Sequence, residues 1–373
     1  MNMLDYLQSR GNISFKKEPF NDVDNLILSH FAYIPFSEYL PEQKKVTLAD
    51  LFTFYATVNP LSKIDGRQLL DYRFLGMLSQ SERFKDCVVH HYISILHEEN
   101  AEQFAAMMID LPDQTTVIAF RGTDDSLVGW KEDLMLSYRD IYSQDDAVTY
   151  MRKYCSTFKK YRIIGHSKGG YLAIYAAVNC GAMVQRNIIN VISNDGPGLR
   201  EGSYDPKKFR KIADRYRLIV PERDIIGNIY QMAEDVFTVD TSSSNIIANH
   251  NMFTWNVEGN LLVPGTSASY ETELTRKVIM KFLEQTNEIQ REYFVSELFE
   301  KLALANITTF RQFAEKGIVL IIGTLRKLMT MDPMAKQTIL LMIRLLTANL
   351  NIDFRRSLKK KARRPDRNVV MTK

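Results

Sequence analysis

The chain has 373 residues, of which 45% are hydrophobic and 25% are charged, and its formal net charge is +4. This length and composition are typical of a globular protein with a sizeable core, and they exclude an overall disordered chain. Three cysteines without CxxC spacing exclude a disulfide framework and a zinc knuckle, so we expect neither a metal nor a cofactor.

The first 20 residues carry acids and polar side chains where a secretory signal needs an apolar core, so we expect no signal peptide. No apolar run reaches the roughly 20 residues that a membrane-spanning helix requires. Together with the low cysteine content, this predicts a cytoplasmic location.

The first elements in chain order are helices. Residues 1–85 have apolar side chains at helical spacing, which predicts a helical N-terminal segment packed on the core. An α/β core is then predicted over residues 86–266. It begins with β-rich runs at 88–96, 103–111 and 115–121, which we expect to form antiparallel strands.

Beyond residue 121 the predicted strands and helices alternate. Uniformly apolar strands that alternate with helices favour a mostly parallel sheet covered on both faces, and so an α/β fold. The predicted helices are 127–137, 145–160, 167–181 and 206–215, and the predicted strands are 161–165, 187–194, 216–221 and 235–240.

The C-terminal part has a different character. Residues 267–354 show helical spacing only and predict an all-helical appendage, through which two copies could form a homo-oligomer. Residues 355–373 hold nine Lys/Arg and one acid, a net charge of +8, which leaves −4 for the rest of the chain. We predict a basic, disordered tail with peripheral contact to an anionic membrane. No specific nucleic-acid partner is expected, because the body is acidic and lacks a recognition motif.

One short motif indicates chemistry. Gly165, Ser167 and Gly169 match G-x-S-x-G, and the match lies between a predicted strand and a predicted helix. That context is the one a nucleophile elbow requires, because the tight reversal strains the serine and leaves no room for bulky neighbours. The motif therefore predicts Ser167 as a nucleophile.

A serine nucleophile needs a base and an orienting acid, which follow it in the chain order Ser, Asp/Glu, His. Only one histidine, His250, lies after Ser167, and it is the candidate base. Asp224, just past a β-rich run, is the best-placed acid. Asp195 is the alternative acid and Glu222 a third candidate.

The tetrahedral intermediate needs preorganised hydrogen-bond donors. One candidate is the backbone N–H of Lys168, directly after the nucleophile. The loop in FRGTDDSLVGWKEDL offers a second, since Thr123 can supply both its N–H and its hydroxyl group. We therefore expect Thr123 and Lys168 to form an oxyanion hole.

Four segments in this order, FRGTDDSLVGWKEDL, IIGHSKGG, LIVPERDIIG and NHNMFTW, resemble the class 3 lipase-like α/β-hydrolases, closest to a bacterial branch of lipase-like proteins. The resemblance covers about residues 1–265. It implies an α/β-hydrolase fold, with Ser167 as nucleophile, Asp224 as acid, His250 as base and an oxyanion hole at Thr123 and Lys168. The chain departs from the lipase pattern at Lys168, where an aliphatic residue is usual. Its helical appendage has no counterpart in secreted fungal-type lipases.

These residues predict a serine esterase that acts through an acyl-enzyme on a small-molecule or lipid acyl ester. Two alternatives remain at this stage. The same residues could pass the acyl group to an alcohol, as an acyltransferase does. The chain could also be a catalytically silent hydrolase-fold scaffold or a membrane-associated binding protein. If Asp224 is the acid, Asp224→Asn should impair turnover more than Asp195→Asn.

Overall fold

The structure, a computed structural model, describes residues 1–37, 40, 44–64, 66–243, 246–266, 270–304 and 306–309, with positions 312, 332–334, 336–338 and 340–341. The predicted tail at 355–373 and most of 305–354 lie outside the described residues. The helices are α1 (Met3–Arg10), α2 (Asp22–Phe31), α3 (Leu48–Val58), α4 (Gly66–Gln80), α5 (Leu127–Met135), α6 (Tyr142–Tyr154), α7 (Lys168–Asn179), α8 (Ala182–Gln185), α9 (Pro206–Phe209), α10 (Ile246–Asn249), α11 (Tyr270–Gln285) and α12 (Glu288–Leu304). The strands are β1 (Val46–Thr47), β2 (Val88–His97), β3 (Glu102–Asp110), β4 (Thr115–Phe120), β5 (Lys160–His166), β6 (Ile188–Asn194), β7 (Tyr216–Pro221), β8 (Asp235–Val239), β9 (Val257–Glu258) and β10 (Leu261–Leu262).

Strands β1 to β8 form one eight-stranded sheet in which neighbours in sequence are neighbours in space. The pairs from β1 to β4 are antiparallel, and the pairs from β4 to β8 are parallel. The carboxyl ends of the parallel strands therefore lie along one edge, where ligands bind in open α/β sheets. This sheet and its covering helices form an α/β-hydrolase fold, as predicted.

Both faces of the sheet are buried, and different parts of the chain cover them. Along β4, Val117 and Ala119 belong to one buried cluster, whereas Ile118 and Phe120 belong to the other. Right-handed crossovers between strands in sequential order place their helices on the same face, and α6 and α7 pack there. The N-terminal helices α1 to α4 cover the opposite face.

A buried ion pair fixes the N-terminal segment. Arg83 Nε donates to Asp24 Oδ1 at 2.7 Å, and both side chains are fully buried. Arg83 Nη1 also donates to the carbonyl oxygen of Ile13 at 3.0 Å. The guanidinium thus joins α2 to the loop after α1 and to the segment that enters β2.

Two predicted helices differ from the observed elements. The helix predicted at 145–160 is α6, which ends at Tyr154 because the chain turns there toward β5. The backbone N–H of Ser156 donates to the hydroxyl of Tyr161 at 2.7 Å in that turn. The helix predicted at 206–215 is the four-residue α9 followed by a 3-10 turn at Ala213–Arg215. Within the described residues, no helix combines the length and the apolarity needed to cross a membrane.

Candidate active site

Ser167 lies between β5 and α7 in a backbone conformation that few residues other than glycine adopt, with φ 56° and ψ −129°. A Cβ atom at Gly165 would collide with the backbone of Gly169, and one at Gly169 would collide with the carbonyl of Phe120. Both glycines are therefore required by close backbone approach. The predicted strand–turn–helix context of the motif is present, and strain of this kind is typical of functional sites.

A buried polar network supports this turn from behind. The N–H of Ser167 donates to the carbonyl oxygen of Asn194 at 2.9 Å. The Asn194 side chain donates to Ser29 Oγ at 2.9 Å and accepts from Asn25 Nδ2, also at 2.9 Å. Asn25 and Ser29 both belong to α2, so the N-terminal segment directly buttresses the position of Ser167.

His250 is held by Asp195, the alternative acid. Its Nδ1 lies 2.6 Å from Asp195 Oδ2. Asp195 follows β6, is 1% exposed and has a φ of 50°. Burial is the main influence on the pKa of His250 and lowers it, and the neighbouring acidic groups, Asp133 among them, oppose this shift. A carboxylate on Nδ1 fixes the tautomer in which Nε2 carries the lone pair.

Asp224, the acid that the sequence favoured, contacts Asp195 instead. Its carboxyl group accepts from the N–H of Gly227 at 2.7 Å and from the N–H of Asn228 at 2.9 Å, and it shares a hydrogen bond with the Asp195 carboxyl. Gly227 N–H also reaches Asp195 Oδ1 at 3.0 Å. Asp195 directly follows β6, whereas Asp224 lies three residues past the end of β7, the neighbouring parallel strand.

Two buried carboxyl groups in contact cannot both ionise readily. Burial, the charge of Asp195 and their mutual hydrogen bond raise the pKa of Asp224 well above its usual value. Burial also raises the pKa of Asp195, but the hydrogen bond from Asp224 opposes this. Ionisation is therefore easier at Asp195, next to His250, than at Asp224. The third candidate, Glu222, accepts from Thr266 Oγ1 at 3.0 Å in an exposed loop.

His166 is a site residue that the sequence argument did not identify. Its Nε2 donates to the carbonyl oxygen of His250 at 2.7 Å, so Nδ1 is the nitrogen that accepts from the Tyr33 hydroxyl, also at 2.7 Å. The rings of His166 and His250 lie with centroids 4.4 Å apart. The sequence could have indicated this residue, because it occupies the variable position before the serine in G-x-S-x-G. A histidine there can form one hydrogen bond through each of its two ring nitrogens.

Thr123 and Lys168 line the same cavity as Ser167, as expected for the candidate oxyanion hole. The Thr123 hydroxyl donates to Asp133 Oδ1 at 2.8 Å, which leaves the backbone N–H of Thr123 as its donor for a substrate. Burial raises the pKa of Asp133 to about 6, although Lys168 and Thr123 lower it.

The ammonium group of Lys168 does not face the substrate space. It forms a buried ion pair with Glu132 and donates to the carbonyl oxygen of Gln103 at 2.8 Å, with both charged side chains fully buried. Glu132 also accepts from the N–H of Gln103 at 3.1 Å. The unusual lysine of the motif is therefore a structural link between α7 and α5, and its backbone N–H remains at the site.

Four of the candidate residues line one cavity of about 930 Å³: Thr123, Ser167, Lys168 and His250. Its size is at the upper end of the range for ligand pockets, and most of its lining side chains are apolar. The walls come from α5, the loops after β6 and β7, and the C-terminal helices; they include Trp130, Leu134, Ile226, Ile229, Val278, Phe282, Phe294 and Val295. Among the described residues, no cluster of His, Cys, Asp and Glu could hold a metal ion.

The chain is weakly similar to several solved structures of lipases. M37 lipase is 16% identical over 54% of this chain and 67% of its own, with a TM-score of 0.33. The native propeptide complex of Rhizomucor miehei lipase is 17% identical over 54% of this chain and 73% of its own, with a TM-score of 0.33. Lipase II from Rhizopus niveus is 15% identical over 58% of this chain and all of its own (100%), with a TM-score of 0.34. The expected bacterial branch stays a prediction, and no curated protein matches the chain.

A sequence model of the Mbeg1-like family matches residues 78–300. That stretch holds the sheet from β2 onward and every candidate residue from Thr123 to His250, together with α11 and most of α12. Because the match spans more than half of the chain, the protein belongs to the Mbeg1-like family.

Proposed function

We propose that the protein is a serine hydrolase that cleaves carboxylic esters through an acyl-enzyme on Ser167. One observation carries the proposal: a strained serine and a histidine that a buried carboxylate orients line the same apolar cavity. Each part occurs alone in many proteins. Their combination at the carboxyl edge of the sheet is what nucleophilic acyl transfer requires.

In the proposed reaction His250 Nε2 removes the proton of Ser167 as Oγ attacks the ester carbonyl carbon. The oxyanion that forms accepts hydrogen bonds from the backbone N–H groups of Lys168 and Thr123. The imidazolium then returns its proton to the leaving alcohol, and the C–O bond of the ester breaks. A water molecule repeats the sequence on the acyl-enzyme, which releases the acid and restores Ser167.

Asp195 stabilises the imidazolium in this scheme and keeps His250 in the required tautomer. Asp224 keeps its proton and donates it to Asp195, which holds that carboxylate in place. His166 fixes the backbone of His250 through its carbonyl oxygen. The predicted hydrolytic step therefore uses one charged acid, not two.

A fluorophosphonate probe tests the proposal, since it reacts only with an activated serine. We expect labelling of the wild-type chain and its loss in Ser167→Ala. Ser167→Ala and His250→Ala should each lower ester turnover by about 10,000-fold or more, and the double variant should lose little beyond this, because the two residues act as a unit. Ser137→Ala is the control, since Ser137 also lines the cavity but its hydroxyl donates to the carbonyl oxygen of Leu134 at 2.7 Å.

Absence of labelling in a folded wild-type chain would favour the silent scaffold. Additive losses in the double variant would contradict a joint role of Ser167 and His250. Hydrolysis and acyl transfer both pass through the acyl-enzyme, so labelling does not separate them. Turnover in the presence of a competing alcohol does: a hydrolase should release mainly free acid, and an acyltransferase should form mainly the new ester.

We also infer a cytoplasmic location. Cys87, Cys155 and Cys180 are all free, which supports a reducing compartment. Cell fractionation tests this, and co-sedimentation with anionic liposomes tests the predicted membrane contact of the tail at 355–373.

A further inference from the structure

The distal wall of the cavity is the C-terminal hairpin, defined as α11 and α12. Val278, Phe282 and Val295 of the hairpin line the cavity and are each at most 9% exposed. Two polar contacts join the hairpin and the segment just after it to the body. Arg200 forms an ion pair with Glu288 at 2.7 Å, and the N–H of Leu127 donates to the carbonyl oxygen of Thr308 at 3.1 Å.

One charged side chain of the hairpin, Arg291, also lines the cavity and is only 7% exposed. Its Nη1 donates to the carbonyl oxygens of Leu283 and Thr286 at the end of α11. Its Nε is buried and has no hydrogen-bond partner. Within the described part of the chain, no carboxylate forms an ion pair with this guanidinium.

A guanidinium is always charged, and burying a charge without a counter-ion is costly. The carbonyl groups at the end of α11 compensate part of that charge, since the end of a helix carries a partial negative charge. They engage Nη1 and leave Nε unsatisfied. An anion in the cavity would complete the hydrogen bonding of this group.

The other charged groups of the wall belong to different elements and have partners of their own. Asp71 of α4 lies 3.4 Å from His30, and Asp133 of α5 accepts from Thr123. Tyr230 lines the cavity near Arg291. Burial raises the pKa of its phenol and the charge of Arg291 lowers it, so a second hydrogen-bond donor lies within electrostatic reach.

We propose that the cavity binds an acyl ester that carries an anionic group, and that Arg291 is the residue that binds this group. The apolar wall of the hairpin takes the acyl chain, and Arg291 selects a phosphate or carboxylate attached to it. This inference names the substrate class of the proposed hydrolase and therefore rests on the proposed function.

The test is a binding titration that needs no turnover. The full chain with Ser167→Ala is titrated with dodecyl phosphate, dodecanoate and dodecanol below their micelle concentrations. Tryptophan fluorescence reports binding, since Trp130 lines the cavity. We expect at least one anionic ligand to bind about 10- to 100-fold more tightly than dodecanol, as hydrogen bonds to a charged group predict. The stronger of the two anions identifies a phosphate or a carboxylate.

Adding Arg291→Gln should abolish most of this preference. Arg276→Gln should preserve the preference for anions. It is the same substitution on the same hairpin, but Arg276 lies outside the cavity and forms an ion pair with Glu273. Equal binding of dodecanol and both anions to the chain that keeps Arg291 would overturn the inference even if Arg291→Gln does not fold. An equal loss in Arg276→Gln, or no loss in Arg291→Gln, would do the same.

The experiments distinguish a failure of the proposed function from a failure of this inference. If the wild-type chain resists fluorophosphonate but its anion preference depends on Arg291, the cavity binds an anionic amphiphile without cleaving it. If Ser167 is labelled but the preference is absent, the protein is a hydrolase that selects its substrate in another way.

Discussion

At the scale of single residues, His250 is restrained on two sides. Asp195 bonds to Nδ1 of its ring at 2.6 Å, and His166 bonds to its backbone carbonyl at 2.7 Å. These contacts limit the orientations that His250 can adopt. A general base needs a fixed orientation toward the proton that it removes. The second contact also ties the backbone of His250 to the turn that carries Ser167, since His166 directly precedes the serine.

The contacts of Asp195 and Asp224 predict which substitution lowers kcat more, and this order is the reverse of the one expected from sequence. Asp195→Asn should lower kcat by about 10,000-fold, because an amide that donates to Nδ1 enforces the wrong tautomer of His250. Asp224→Asn should lower kcat by about tenfold or less, because an amide can replace the donated proton of a neutral carboxyl group. Steady-state kinetics on folded variants measures both effects.

A larger loss in Asp224→Asn than in Asp195→Asn would assign the acid to Asp224, as the sequence predicted. Asp224→Ala is the companion variant, since it removes the donor as well as the charge. We expect its kcat to fall below that of Asp224→Asn.

The environment of His250 also predicts the pH dependence. Burial lowers its pKa from the ordinary value of 6.5. In the proposed mechanism the neutral imidazole is the base, so kcat/KM should be lost as the pH falls through a midpoint below 6.5. The charge of Asp133 raises the pKa of His250, and burial raises the pKa of Asp133 itself to about 6. In Asp133→Asn the midpoint should move lower still, and a midpoint at or above 6.5 in the wild-type chain would contradict the argument.

At the scale of elements, the ion pair of Lys168 and Glu132 joins α7 to α5. Lys168→Met should lower the free energy of unfolding by about 3–5 kcal/mol, because it leaves the buried charge of Glu132 unpaired. Combining it with Glu132→Gln should restore part of the loss. Urea unfolding measures both.

The matched control is the exposed pair of Lys85 and Glu82. Lys85→Met should lower the free energy of unfolding by less than about 1 kcal/mol, since solvent screens exposed pairs. Equal losses in Lys85→Met and Lys168→Met would show that burial of the second pair has no consequence for stability.

At the scale of the whole molecule, the N-terminal helices are part of the core. The strands of a sequentially ordered parallel sheet place their crossover helices on one face, so α1 to α4 must cover the other. Deleting residues 1–37 should abolish soluble folding, because it uncovers the part of that face under α1 and α2 and removes the contacts of Asn25 and Ser29 with Asn194. Soluble yield and the cooperativity of thermal unfolding test this. Deleting residues 355–373 is the control and should change neither.

Much of the fold follows from local pattern. Strand–helix alternation after residue 121 predicts the parallel sheet, and β5, the turn at Ser167 and α7 form one continuous stretch with its own glycine requirements. The boundaries of α6 and α9 were predicted less well, since helical spacing continues past the points where turns and tertiary contacts end these helices.

The sequence by itself determined the candidate nucleophile and the candidate base, because the turn around Ser167 is local and only one histidine follows it. Tertiary structure decided the rest. Asp195 and Asp224 end adjacent strands at the same edge, and only the packing of their loops selects which one meets His250. The buried partner of Lys168 and the wall that carries Arg291 come from segments far along the chain. Such contacts depend on how the sheet and its helices pack, which a pattern of neighbouring residues does not encode.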